Sequence, residues 1–309
     1  MVKKDTPLKI GSVSISHPDK VVFPSEGISK GDVAEYYESV RNLIMPYLER
    51  RPLSFVRCPA GSEKSCFVQK HPGPWLSRQV PRITLPEAEG QGDYIFVERG
   101  SDLLGLVQGN IIELHAWTSR LPDIEHPDQM VFDLDPDETI ASPQVTKIAL
   151  ALRDLLLESD LHSFPRVTGG KGIHVVVPIA RIHSWQEVHL CAYSIALDLV
   201  DLFPKDLTVN PLKHDRRGKI FVDYLRNSRG ATTVVNYSLR ARPDATVAMP
   251  ITWDDVKPKL RMNEFTLSSV KRLLATGFVD PWAGFHGQQQ RLPAQDLPPM
   301  QPGMQQNPL

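Results

Sequence analysis

Eight short apolar runs set the limits on this chain: "SFVRC", "CFVQKH", "YIFVE", "IIELHAW", "QMVFDLD", "IHVVVPI", "KIFVDYL" and "TTVVNYSL". Each has strand length and is rich in Val, Ile, Phe and Tyr. Some follow one another directly, whereas others are separated by stretches of helical period. That order argues against a doubly wound parallel sheet. It favours an α/β fold of the α+β kind, with mixed, largely antiparallel sheets flanked by helices. The helical stretches carry start signals. "SKGDVAEYYESVRNLIMPYLE" opens with Ser29 and Asp32 at capping-box spacing and places Val33, Tyr36, Val40, Ile44 and Tyr47 on one stripe. "SPQVTKIALALRDLLLES" offers Ser142 as N-cap with Pro143 at the first helical position. "SWQEVHLCAYSIALDLVDLF" begins with a box from Ser184 to Glu187.

No low-complexity linker interrupts residues 8–285, which read as one compact unit with two lobes. Residues 286–309 are rich in Gln and Pro, with little to bury, and are expected to form a disordered tail or linker. The formal net charge of −1 does not advertise a nucleic-acid binder. The charge is uneven, however: from Lys205 to Arg242 nine basic residues face only Asp206, Asp215 and Asp223, enough for a polyanion-facing surface or simply a solvated basic face. Cys58, Cys66 and Cys191 cannot make a full disulfide framework, and Cys58 and Cys66 are too far apart for a zinc knuckle. A reducing, cytoplasmic setting fits, since the N-terminus lacks an apolar signal core and no run approaches a membrane span.

"QMVFDLDP" breaks its own pattern: Asp133 and Asp135 stand where core residues should continue. Alternation along a strand puts both carboxylates on one face, where they repel and would be protonated if buried alone. A hard divalent cation removes both problems. Asp-x-Asp can bridge two metal ions about 4 Å apart, the arrangement of phosphoryl and nucleotidyl transfer. A Pro- and Asp-rich turn is the plainer reading. "KIFVDYL" repeats the anomaly with Asp223, and two such violations point to a functional site.

Between them, "RVTGGKGIHVVVPI" offers glycine amides that let a phosphate approach closely, the charge of Lys171 and the donor of His174. It is not a Walker A loop, because Gly172 follows Lys171. A glycine hairpin with a surface lysine and a structural histidine is the alternative. In "NYSLRAR", Arg240 and Arg242 alternate onto one face, as a phosphate clamp or as exposed edge-strand arginines. His115 in "IIELHAW" is by itself a lone strand histidine.

Taken in order, "MVFDLDP", "VTGGKGIHVVVPI" and "KIFVDYLRNSRGATTVVNYSLRAR" resemble the polymerase domain of bacterial DNA ligase D, in the archaeo-eukaryotic primase superfamily. "SHPDKVVFPSEGISKGDVAEYYESV" and "RPLSFVRCPAG" resemble the opening of the same family, so the likeness runs over roughly residues 10–275. It implies a two-lobed primase-polymerase fold and a nucleotidyltransferase of non-homologous end joining. Such an enzyme fills gaps and extends DNA ends, prefers ribonucleotides and favours manganese over magnesium. By resemblance, Asp133 and Asp135 bridge two metal ions and Asp223 serves the ion that activates the primer 3′-hydroxyl. Thr168 (where a serine is usual), Lys171 and His174 lie on the triphosphate-binding segment. Arg240 and Arg242 match the phosphate clamp, and His115 lies near the ribose of the incoming nucleoside triphosphate (NTP or dNTP). Lys20 and Lys30 match residues that grip the 5′-phosphate of a DNA gap, Phe67 an aromatic that stacks on the template, and Arg216 with Arg217 a loop at the DNA end. The implied partners are DNA with gaps or 3′ overhangs, the end-binding protein Ku and a ligase module, in the bacterial cytoplasm beside the nucleoid.

Two other readings use the same residues. A haloacid-dehalogenase-type phosphatase also has Asp-x-Asp after an apolar strand, but on the first strand of its fold, with Thr or Val where this chain has Asp137. A catalytically inactive DNA-end-binding module would need only Lys20, Lys30 and Phe67, and retention of all three acids argues against it.

Overall fold

A computed structural model describes residues 6–293. They fall into two compact units. The first comprises residues up to Ala116 together with Val234–Met249 and Asn263–Asp280; the second comprises Trp117–Thr233, Pro250–Met262 and the segment from Pro281 onward.

The first unit begins with two small antiparallel pairs, β1 (Leu8–Ile10) with β2 (Val13–Ile15) and β3 (Val21–Phe23) with β4 (Ile28–Ser29). The helix expected next is present but divided at Val40 into α1 (Lys30–Ser39) and α2 (Arg41–Leu48). Its capping box is formed, with Ser29 and Asp32 each bonding the other's backbone N–H. All five residues of the expected stripe are buried, so the apolar face persists through the break. Next come β5 (Leu53–Arg57), β6 (Phe67–Gln69), the hairpin β7 (Arg82–Pro86) and β8 (Gln91–Ile95), α3 (Gly100–Gln108) and β9 (Ile111–Ala116). β5 pairs antiparallel with both β6 and β9 in a four-stranded sheet.

The second unit is built on a six-stranded sheet. Its strands are β10 (Gln129–Pro136), β11 (Phe164–Val167), β12 (Ile173–Pro178), β13 (Leu207–Thr208) and β14 (Ile220–Asp223), with α4 (Ser142–Glu158) and α5 (Trp185–Leu202) between them. Later in the chain, β15 (Thr233–Val234) joins β9 at the edge of the four-stranded sheet, and β16 (Met249–Pro250) completes the six-stranded order β13-β14-β10-β12-β11-β16. α6 (Leu267–Leu274) is the last α-helix among the described residues. β10 runs antiparallel to both β12 and β14, whereas β13 and β14 are parallel. Met130, Val131, Phe132 and Leu134 of β10 and Ile173, Val175, Val176 and Val177 of β12 are fully buried, as continuous apolar runs require when both faces of a sheet are covered.

Three expectations shift. Ala141, not Ser142, caps α4; Ser142 is the first helical residue and Pro143 the second, where a missing N–H still costs nothing. Residues 286–293, assigned to a tail, are held instead: Gln290 bridges Ile179, and its side chain donates to the carbonyls of His162 and Pro178. The rest of that expected tail lies outside the described residues. Cys58 and Cys66 are joined by a disulfide, because the antiparallel pairing of β5 with β6 returns the chain to within 4.3 Å between their Cα atoms. Cys191 is buried.

Candidate active site

The register of the six-stranded sheet brings four chemistry-bearing residues into one line. Asp133 on β10 lies directly opposite Asp223 on β14 and His174 on β12. His174 in turn lies opposite Arg166 on β11. Residues directly opposite one another project from the same face of a sheet, so Asp223, Asp133, His174 and Arg166 form a row across four neighbouring strands. Asp135, two residues on, shares that face, while the fully buried Leu134 between the acids anchors the strand in the core. The three acids expected from sequence thus share one face of the sheet.

The row is electrostatically tense. Burial pushes the Asp223 carboxyl up to about 6; the Arg226 guanidinium opposes this, and the neighbouring Asp133 reinforces it. Arg226 lies 3.0 Å from Asp223 and 3.7 Å from Asp133. Arg216 reaches 81 residues back to Asp135, at 3.3 Å, and lies 3.7 Å above the ring of Phe221. Arg216 was expected to face DNA; in the structure its guanidinium is engaged with Asp135, beside the row. His174 is buried, its Nε2 3.3 Å from Asp133 Oδ1 and its Nδ1 2.7 Å from Arg166. Burial, against the pull of Asp133, lowers its pKa to about 4.

Backbone detail explains why these side chains meet. Gly169 adopts the left-handed region (φ 70), which admits glycine without strain. At Gly172 a Cβ would stand 2.6 Å from the carbonyl of Leu134, so only glycine lets β12 enter register beside the acids. Thr168 spends its hydroxyl on the Gly172 carbonyl, which closes the turn, and leaves Lys171 exposed at the tip. After β14 ends at Asp223, the buried Asn227 side chain accepts from Val131 N–H and donates to Val131 C=O, both at 2.7 Å. It continues the ladder where the strand has stopped and fixes the turn that carries Arg226.

In the first unit, a second cluster forms around Glu113. Burial alone would raise this carboxyl, but the His115 hydrogen bond, the Arg240 guanidinium and the Ala241 N–H together hold it at about 2. His115 Nε2 lies 2.6 Å and Arg240 Nε 3.0 Å from the same oxygen. The expected strand at "NYSLRAR" does not form. Tyr237 takes a left-handed conformation (φ 65), and only Leu239 bridges Val247, so Arg240 turns to Glu113 while Arg242 is exposed.

Lys20 and Lys30 are brought together, Lys30 N–H donating to the Lys20 carbonyl at 2.8 Å. Their ammonium groups differ. Lys20 is half-buried and bonds Asn110 and the Pro59 carbonyl. Lys30 is buried, and all three of its donors are matched by Ser16 O, Gln108 O and Gln108 Oε1. The expected phosphate grip therefore has one half-exposed member and one saturated brace. Phe67 stands half exposed on β6 beside an open depression that Pro59 also lines. The residues missed from sequence are Glu113, Arg166, Arg226 and Asn227. Only Arg226 left a local signal, three positions after Asp223.

Among the described residues, no three His, Cys, Asp or Glu side chains are gathered closely enough to cage a metal ion. The donor chemistry nevertheless fits a hard divalent cation: three carboxylates on one sheet face, two of them raised by burial and a like charge, with guanidinium groups as their cationic neighbours.

The fold is that of the primase-polymerase class. The family model "LigD, primase-polymerase domain" matches residues 29–282, and the chain belongs to that family. It is 36% identical to the multifunctional non-homologous end joining protein LigD of Pseudomonas aeruginosa over 283 residues, covering 91% of this chain and 34% of that protein. The bifunctional LigD of Bacillus subtilis is 28% identical over 253 residues, covering 82% of this chain and 41% of that one. The chain thus spans well under half the length of these relatives. Among solved structures, the polymerase domain from Mycobacterium tuberculosis ligase D in complex with DNA superimposes with a TM-score of 0.83 at 29% identity, covering 91% of this chain and all of the other. Membership of this family sets the phosphatase reading aside.

Proposed function

We propose that this chain is a nucleotidyltransferase of bacterial non-homologous end joining, adding nucleotides to a primer 3′-hydroxyl at DNA gaps and breaks. The observation that carries this reading is the register that sets Asp223 against Asp133 with Asp135 on the same face. Support comes also from relatives named for end joining and from the neighbour solved with DNA. Asp133, Asp135 and Asp223 would hold divalent cations, manganese or magnesium; bound there, such ions lower the pKa of the primer hydroxyl and neutralise the leaving pyrophosphate.

The chain's own side chains supply the rest. The exposed Lys171, on its glycine turn, offers a point charge to phosphate oxygens. In the first unit, Arg242 is available to phosphate, and Glu113 orients His115 towards a ribose while holding Arg240 in place. Lys20 would meet the 5′-phosphate of a gap without reading sequence, and Phe67 would offer a stacking surface to any base. Preference for ribonucleotides, association with Ku and a ligase module, and a bacterial cytoplasmic home belong to the same reading. In a reducing compartment Cys58 and Cys66 would be thiols.

Primer extension on a gapped duplex tests the proposal. Wild type should release pyrophosphate and lengthen the primer with manganese, using ribonucleotides more readily than deoxyribonucleotides. Asp133→Ala should lose this by orders of magnitude. Equal activity in both proteins would remove the acids from the chemistry, and DNA binding without extension in wild type would leave an end-binding module.

A further inference from the structure

Arg166 enters the row from β11, the strand on the far side of His174 from the acids. It is only 4% exposed, far more buried than Arg216 or Arg226. Its guanidinium lies 5.8 Å above the ring of Trp282. Trp282 is itself pinned, donating from Nε1 to the Pro165 carbonyl at 3.0 Å and stacking on Phe285. The arginine is thus braced by an aromatic cluster and places its Nη2 2.7 Å from Nδ1 of His174.

An arginine can only donate, so the Nδ1 it faces must carry a lone pair, and the ring proton must sit on Nε2. Nε2 is the nitrogen that faces Asp133 Oδ1 at 3.3 Å. We propose that Arg166 is a positioning residue for the acid row, locking His174 in the Nε2–H tautomer so that it presents one directed donor to Asp133. The inference about the tautomer stands on geometry alone; its consequence for catalysis rests on the function proposed above. With Oδ1 tied to His174, the Asp133 carboxylate cannot rotate freely, and it meets a cation or substrate in one orientation. Outer partners that fix metal-ligating histidine rings change activity by about 10–100-fold when removed, and the lower end of that range sets the effect expected for a histidine that acts on a carboxylate.

The test uses the metal-free protein labelled with ¹⁵N-histidine, the His174 signals being assigned by their absence in His174→Gln. Wild type should show an unprotonated Nδ1 and a protonated Nε2; a protonated Nδ1 in wild type overturns the proposal without any variant. Arg166→Met, which keeps the bulk and removes the donor, should shift both nitrogens towards a mixture of tautomers. It should also lower kcat for nucleotide addition by about tenfold or more with a smaller change in KM. Arg166→Lys, which keeps a donor, should recover the wild-type nitrogen pattern and a large part of kcat. An unchanged His174 pattern in a folded Arg166→Met, or a wild-type pattern in Arg166→Lys without recovery of kcat, overturns the positioning role. A wild type with the expected nitrogen pattern but no nucleotide addition refutes the proposed function and leaves the tautomer assignment intact.

Discussion

Asp223 and Glu113 are both buried acids, yet their environments move them in opposite directions, and the sign of each effect can be measured. For Asp223 the folded pKa of about 6 lies above its ordinary 3.8, so the folded protein holds the proton more tightly. Its contribution to stability is therefore lost as pH rises from about 4 to about 6. Asp223→Asn should stabilise the protein at neutral pH by about 1–3 kcal/mol while abolishing primer extension. Urea unfolding at pH 7.5 and at pH 4.5 checks this, the gain being larger at the higher pH; a loss of stability at pH 7.5 would contradict it. For Glu113 the folded value of about 2 lies below the ordinary 4.5. Its stabilisation is present above about pH 4.5 and fades as pH falls towards 2. Glu113→Gln should cost about 2–3 kcal/mol at neutral pH, with the deficit narrowing below pH 4. Asp133, Asp135 and Asp223 were legible in the sequence because each interrupts an apolar run, whereas Glu113 was not. Their arginine partners were not: Arg216 finds Asp135 only because β10 and β14 are neighbours, and nothing local to either residue records that.

At the level of elements, the sheet register does the positioning, and two residues guard it. Asn227→Ala would leave the N–H and C=O of Val131 without their partner in a buried setting, costing about 2–4 kcal/mol by thermal or urea unfolding and displacing Arg226. Gly172→Ala would drive a methyl against the Leu134 carbonyl, and β12 would have to move away from β10. Amide exchange in β12 should quicken in that variant, and an unaltered exchange pattern would show that the backbone yields elsewhere. Helices with reciprocal caps at Ser29 and Ser184 were readable from sequence, since both bonds are local. The segment after β15 was not. Its residues alternate like a strand, but Tyr237 turns the backbone left-handed and leaves only an isolated bridge. Lys30 illustrates the same limit: a lysine at the start of a helix looks like a surface cation until α3 closes over it.

For the molecule as a whole, a net charge near zero hides a strongly basic stretch from Lys205 to Arg242. If DNA is the partner, affinity should fall linearly on a log–log plot against salt, as released counterions dictate. Lys20→Ala should reduce that slope by about one for a gap bearing a 5′-phosphate and leave it unchanged for a gap without one. Equal changes on both substrates would show that Lys20 does not meet the phosphate.

The row from Asp223 to Arg166 draws each member from a different strand, so it exists in only one alignment of the sheet. Sliding β10 by a single position would carry Asp133 and Asp135 to the opposite side together. A molecule that folds with that error has no partial site to work with, so active-site titration of any preparation counts the fraction of chains whose strands came together in step.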